Sequence, residues 1–63
     1  MDTVELLGEL YERADALKSR LGIGDVTLWR FENQGMPRPL KIGRWRFFPR
    51  KEVDKWLLGR NPE

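Results

Sequence analysis

LGIGDVTLWRFENQG, Leu21 to Gly35, is the stretch whose reading decides the fold. The glycines around Ile23 make a tight turn, and a short helix then runs from Asp25 to Gln34, with Gly24 or Asp25 as N-cap and Gly35 as its C-terminal glycine. At about 100° per residue, Leu28 and Phe31 share one side of this helix, flanked by Thr27, while Val26, Trp29, Arg30 and Asn33 point largely the other way. Exposed Val and Trp beside Arg and an amide are costly for a monomer and useful to something that docks into a groove.

Upstream, Asp2-Thr3-Val4-Glu5 sets a capping residue three positions before a Glu, and Leu7, Leu10, Ala14, Leu17 and Leu21 recur at spacings of 3, 4, 3 and 4. This predicts an amphipathic helix over 3–21, weakened at Gly8, with Glu5, Glu9 and Glu12 on another face and Glu9 four residues before Arg13. A coiled-coil seam is the other reading of that spacing, but fewer than three heptads seldom hold alone. With the glycine turn between them, the two helices make a helix-turn-helix.

Downstream, Met36-Pro37-Arg38-Pro39 cannot be helical, because each proline removes a donor and pushes its predecessor into extended geometry. Leu40-Lys41-Ile42 and Arg46-Phe47-Phe48 then read as two short strands around Gly43-Arg44-Trp45, a hairpin over 40–48 that forms a wing. Lys41, Arg44 and Arg46 are expected along one face of it, with Ile42 and Phe47 turned toward the core. Trp45 reads as a groove contact, a lid on the core or a stacking partner for an Arg, with packing favoured. A final helix over 50–58 places Val53, Trp56 and Leu57 on one side, sets Arg50 to pair with Asp54 and ends at Gly59.

The 63 residues carry 12 Lys and Arg against 10 Asp and Glu, and contain no Cys and no His. One small domain is the expectation, without disulfides, Cys/His metal sites, thiolate nucleophiles or the usual general base, so neither a catalytic residue, a metal nor a cofactor is expected. With no long apolar run and no signal-peptide start, the chain reads as non-membrane and cytoplasmic. The small net charge conceals a division. Residues 1–16 hold five acids against Arg13 alone, a net of −4, whereas residues 17–63 hold 11 bases against five acids, a net of +6. An acidic head on a basic body suits a polyanion partner better than a small acidic metabolite.

Four segments in order, the LGI turn at Leu21, the T-L-aromatic-R of Thr27 to Arg30, the G-x-P-x-P-x-K-I-G of Gly35 to Gly43 and the R-x-E-V-x-x-W-L of Arg50 to Leu57, resemble small winged-helix proteins of the excisionase and AlpA-like group, relatives of the MerR-type DNA-binding domain. The resemblance covers Leu21 to Leu57. Gly24 and Pro49 depart from it, standing where the group often has a Ser or Thr cap, and the acidic head is longer than the group minimum. It implies an α+β, mostly helical fold, a winged helix-turn-helix built from a long N-terminal helix, a recognition helix over 25–34, a two-stranded β-hairpin wing and a C-terminal helix. It also implies a non-enzymatic bacterial protein, phage- or island-borne, that binds and bends double-stranded DNA as an excisionase for an integrase, with head-to-tail contacts between protomers on DNA. An AlpA-like transcriptional regulator using the same surface is the nearest alternative.

On this reading Asp25, Val26, Thr27, Trp29, Arg30 and Asn33 form the recognition-helix contacts, and Arg38, Lys41, Arg44 and Arg46 the wing and backbone contacts. Arg30 has the chemistry for guanine, Asn33 for adenine and Val26 for a thymine methyl. The blander reading leaves Arg30 on phosphate and Asn33 stabilising the helix end. A rival of another class is a protein-interaction module that docks through Val26, Trp29 and the hairpin tip.

Overall fold

Thr3 to Arg13 form a β-hairpin where the leucine spacing predicts the first half of a helix. Strand β1 (Thr3–Leu6) pairs antiparallel with β2 (Glu9–Arg13), and the connecting Leu7 and Gly8 both have positive φ, 54° and 80°. Two left-handed residues in succession make the type I′ turn, whose twist matches that of the flanking strands. The strands win over the helix because β2 gains a second, distant partner in β4, with Glu12 opposite Phe48 and Tyr11 opposite Pro49. Local periodicity cannot register a pairing of that sequence separation. The structure, a computed structural model, describes residues 3–60, so the Asp2 cap lies outside the described residues.

Helix α1 therefore starts only at Ala14 (Ala14–Leu21) and ends at Gly22, whose φ of 67° gives the left-handed cap that glycine adopts most readily. Helix α2 (Asp25–Asn33) follows, closed by a backbone bond of 3.2 Å from the Met36 N–H to the Phe31 carbonyl around Gly35 at φ 107°. Strands β3 (Leu40–Ile42) and β4 (Trp45–Pro49) form the second hairpin, and α3 (Arg50–Arg60) runs past the expected stop at Gly59. The four strands make one antiparallel sheet in the order β1-β2-β4-β3. The expected mostly helical winged helix-turn-helix with a long N-terminal helix is thus corrected to a four-stranded antiparallel sheet with three helices, in the order ββααββα.

All three helices meet the sheet through the Phe48 face. Leu17, Leu28, Met36, Phe48 and Val53 form the buried core, and Leu21, Ile23, Phe31, Trp56 and Leu57 pack around it. Phe31 and Trp56 join α2 to α3 edge-on, with ring centroids 5.6 Å apart. Glu12 is the one buried charged residue among those described, at 3% exposure. The Arg20 guanidinium donates to both of its carboxylate oxygens, at 2.9 to 3.2 Å, and at 2.9 Å to Asp54. This triad ties β2, α1 and α3 together. It also takes Asp54 from its expected partner Arg50, and it moves Glu12 from an exposed helix face into the protein interior.

The Leu7 conformation gives a direct prediction. A left-handed β-carbon costs roughly 1–2 kcal/mol, which Asn tolerates better than Leu. Leu7 is 87% exposed, so its side chain contributes little packing in return. Leu7→Asn is expected to stabilise the fold by about 0.5–1 kcal/mol, read as a raised urea midpoint at unchanged slope.

Candidate nucleic-acid interface

Helix α2 separates its residues as the periodicity predicts. Leu28 is buried, Phe31, Thr27 and Glu32 are half-buried, and Val26 and Trp29 are each 65% exposed. Arg30 and Asn33 are exposed on the same outer strip. The inner contacts, Leu28 on the core and Phe31 on Trp56, hold the helix so that this strip faces solvent.

The candidate contacts divide by what already holds them. Asn33 Nδ2 donates to the Trp29 carbonyl at 2.9 Å, so in the free protein its amide stabilises the helix end. Asp25 receives a hydrogen bond from Lys18 Nζ across the α1–α2 turn. Arg46 Nη1 donates to both oxygens of Glu32, at 2.9 and 3.1 Å, which fastens β4 to α2. Thr27, half-buried beside the core, flanks the strip rather than forming it. Arg30, Arg38, Lys41 and Arg44 are exposed and make no ion pair among the described residues. These four cations and the apolar pair Val26 and Trp29 are available to a ligand without breaking an internal ion pair.

The second hairpin differs from its expected orientation. Lys41 stands opposite Arg46, and both lie on the helix side of the sheet with Phe48. Ile42 and Phe47 lie on the other side, away from the core, because the buried residue is Phe48 and side chains alternate along a strand. Arg44 sits at the tip, in a two-residue Gly43-Arg44 turn with Gly43 at φ 63°, as a type II′ turn requires. Trp45 is 43% exposed and carries the Arg13 guanidinium 4.0 Å from its ring centroid, with that of Arg44 at 5.9 Å. Of the readings of Trp45, stacking against an Arg is present and a lid on the helix-side core is not.

Three positioning residues were not legible as such: Arg13, which needs the β2–β4 pairing to reach Trp45; Lys18; and Glu32. The signal for Glu32 was available, since on the helical wheel it falls on the Leu28 side of α2 and must find a cation there. The Lys18 hydrogen bond, and then its charge, holds the Asp25 carboxyl below the ordinary aspartate range. A depressed carboxylate adds stability that is present above its unfolded pKa and lost as pH falls through the folded one, so this contact is kept at neutral pH and lost in acid. Carboxyl-detected NMR titration is expected to place Asp25 below a typical aspartate in the wild type, and Lys18→Met to return it upward.

A groove lies elsewhere, between the β1–β2 turn and α3, lined by Gly8, Leu10, Arg50, Lys51 and Asp54. No helix among the described residues is long and apolar enough to cross a membrane. Comparison with protein-family models, curated proteins and solved structures finds no match.

Proposed function

We propose that this chain is a non-enzymatic, sequence-specific binder of double-stranded DNA that uses the outer strip of α2 in the major groove and the β3–β4 tip on the adjacent backbone or minor groove. The observation that supports it is the strip itself: Val26 and Trp29 lie open to solvent beside Arg30, which no acid among the described residues engages. The major groove, about 12 Å wide, admits one helix, and Arg offers guanine a bidentate contact. The Arg46–Glu32 bridge fastens β4 to α2, which supports a contact made jointly by α2 and the hairpin. The four-segment resemblance favours a DNA-bending accessory factor for an integrase, working in arrays, over a promoter-bound regulator of the AlpA kind. Arrays of closely spaced direct repeats with progressive bending would distinguish the first role, and a single operator overlapping promoter elements the second.

The test is a gel-shift titration against DNA flanking the chain's own gene, at two salt concentrations, with two variants. Arg30→Ala is expected to weaken specific binding by roughly 1–3 kcal/mol and relax the sequence preference. Arg44→Ala is expected to weaken all duplexes alike and lower the salt slope by about one. Unchanged affinity and preference in Arg30→Ala would remove α2 as the reading element. Binding of a partner that survives loss of Arg30, Lys41 and Arg44 but fails on Trp29→Ala would favour the protein-interaction reading instead.

A further inference from the structure

The sheet has a second face, opposite the helices, and its composition breaks the usual rule. An antiparallel sheet with one solvated face alternates apolar-in and polar-out. Here strand alternation and register put Val4, Tyr11, Leu40, Ile42, Trp45 and Phe47 on the outer face. Leu40, Ile42 and Trp45 are 36%, 48% and 43% exposed, and none of the six packs against the core cluster. Among the described residues the core holds five buried apolar side chains, few for a domain of a size that often needs outside support.

We propose that this face is the contact between two copies of the chain, packed sheet to sheet about a twofold axis. Charge decides the occupant. Among the described residues, the charged ones that share the face are Glu9 and Arg13, one of each sign, and Arg13 is already paired with Asp15 at 2.9 Å. A nucleic acid needs unpaired cations beneath its phosphates, but Lys41 lies on the opposite face, which leaves Arg44 at the hairpin tip as the one unpaired cation near this face among the described residues. A self-complementary interface instead needs a patch without net charge, since each copy meets its own kind. Four strands about 4.8 Å apart and three to five residues long give a patch roughly 19 by 10–16 Å. Two such patches outline about 400–600 Å² in total, below the range of a stable specific interface, so the dimer is weak and concentration-dependent. The helices lie on the other side of the sheet, so this contact does not rest on DNA binding and leaves the α2 strip uncovered.

Sedimentation equilibrium of the full chain from micromolar to millimolar concentration, combined with an NMR dilution series, tests it. The expected result is a weight-average mass rising from 7.5 kDa toward twice that value, with shift changes gathered on the outer-face residues of β3 and β4. Ile42→Glu is expected to hold the mass at one chain while leaving the circular dichroism spectrum and unfolding midpoint in place. Leu40→Lys, on the same exposed edge strand, supplies the same readout should Ile42→Glu disturb folding. A wild-type chain that stays monomeric at millimolar concentration overturns the dimer, as does a dimer that both variants leave intact. An oligothymidine that shifts Ile42 and Trp45 while the mass stays at one chain would also overturn it, and would give the face to single-stranded nucleic acid.

Discussion

Arg20→Met is expected to cost about 3–5 kcal/mol, the penalty typical of stranding one member of a buried ion pair. Glu12 is 3% exposed and takes its hydrogen bonds from this one guanidinium, so the substitution leaves a carboxylate with neither water nor a cation. Its hydrogen bonds to Glu12 and then to Asp54 raise the Arg20 pKa above an already high value, so no accessible pH discharges the pair from the cationic side. A domain of this size is stable by roughly 3–9 kcal/mol, so urea titration should find the variant largely or wholly unfolded in buffer. Glu12→Leu combined with Arg20→Met should recover most of the loss, because two apolar groups of similar volume replace a buried pair at little net cost. A single-variant loss under about 1 kcal/mol would mean that water reaches Glu12 when Arg20 is removed.

Phe48→Ala is expected to cost a similar 3–5 kcal/mol for a different reason, the cavity left by a large buried ring. Phe48 is 0% exposed and lies among the buried Leu17, Leu28, Met36 and Val53, so those neighbours lose contacts that a small core cannot recover by shifting. It also stands opposite Glu12 in the β2–β4 ladder, so the cavity opens beside the buried carboxylate. Phe48→Leu should lose much less, and the gap between the two variants measures how far the core collapses. Equal losses would show that the aromatic ring, and not its volume, is what the site requires.

The sequence was most readable where local chemistry decides. The glycine stop at Gly22, the burial of Leu28 and exposure of Val26 and Trp29 on α2, the prolines at 37 and 39, and the core side of α3 are all fixed by neighbours within a few residues. Residues 3–13 form strands and not the helix their spacing predicts, because Leu7, Leu10, Ala14, Leu17 and Leu21 mix two elements in one apparent period. Leu17 is core and Leu21 packs against it, but Leu7 is a turn residue and Leu10 is exposed on a strand. The usual hairpin signal, Asn-Gly or Asp-Gly, is replaced by Leu7-Gly8, and the partner that stabilises β2 lies beyond two helices. The same long-range pairing explains why Arg13 against Trp45 was invisible. In the second hairpin the strands were legible and their facing was not, since Phe47 and Phe48 are equally apolar and only the packed helices choose between them.

The β2–β4 pairing closes the chain into a clasp, with α1, α2 and β3 all held in the span between its two strands. The orientation of α2 relative to the β3–β4 tip is therefore set by the sheet, by the buried Met36 and by the Arg46–Glu32 bridge, and not by the Met36–Pro39 segment acting as a tether. On the proposed function, two contact elements fixed in this way would meet a ligand at one spacing, as the teeth of a key do. Little freedom is left to lose on binding, so affinity is gained by prior order, and a target whose two contact points are out of step cannot be reached by swinging one arm.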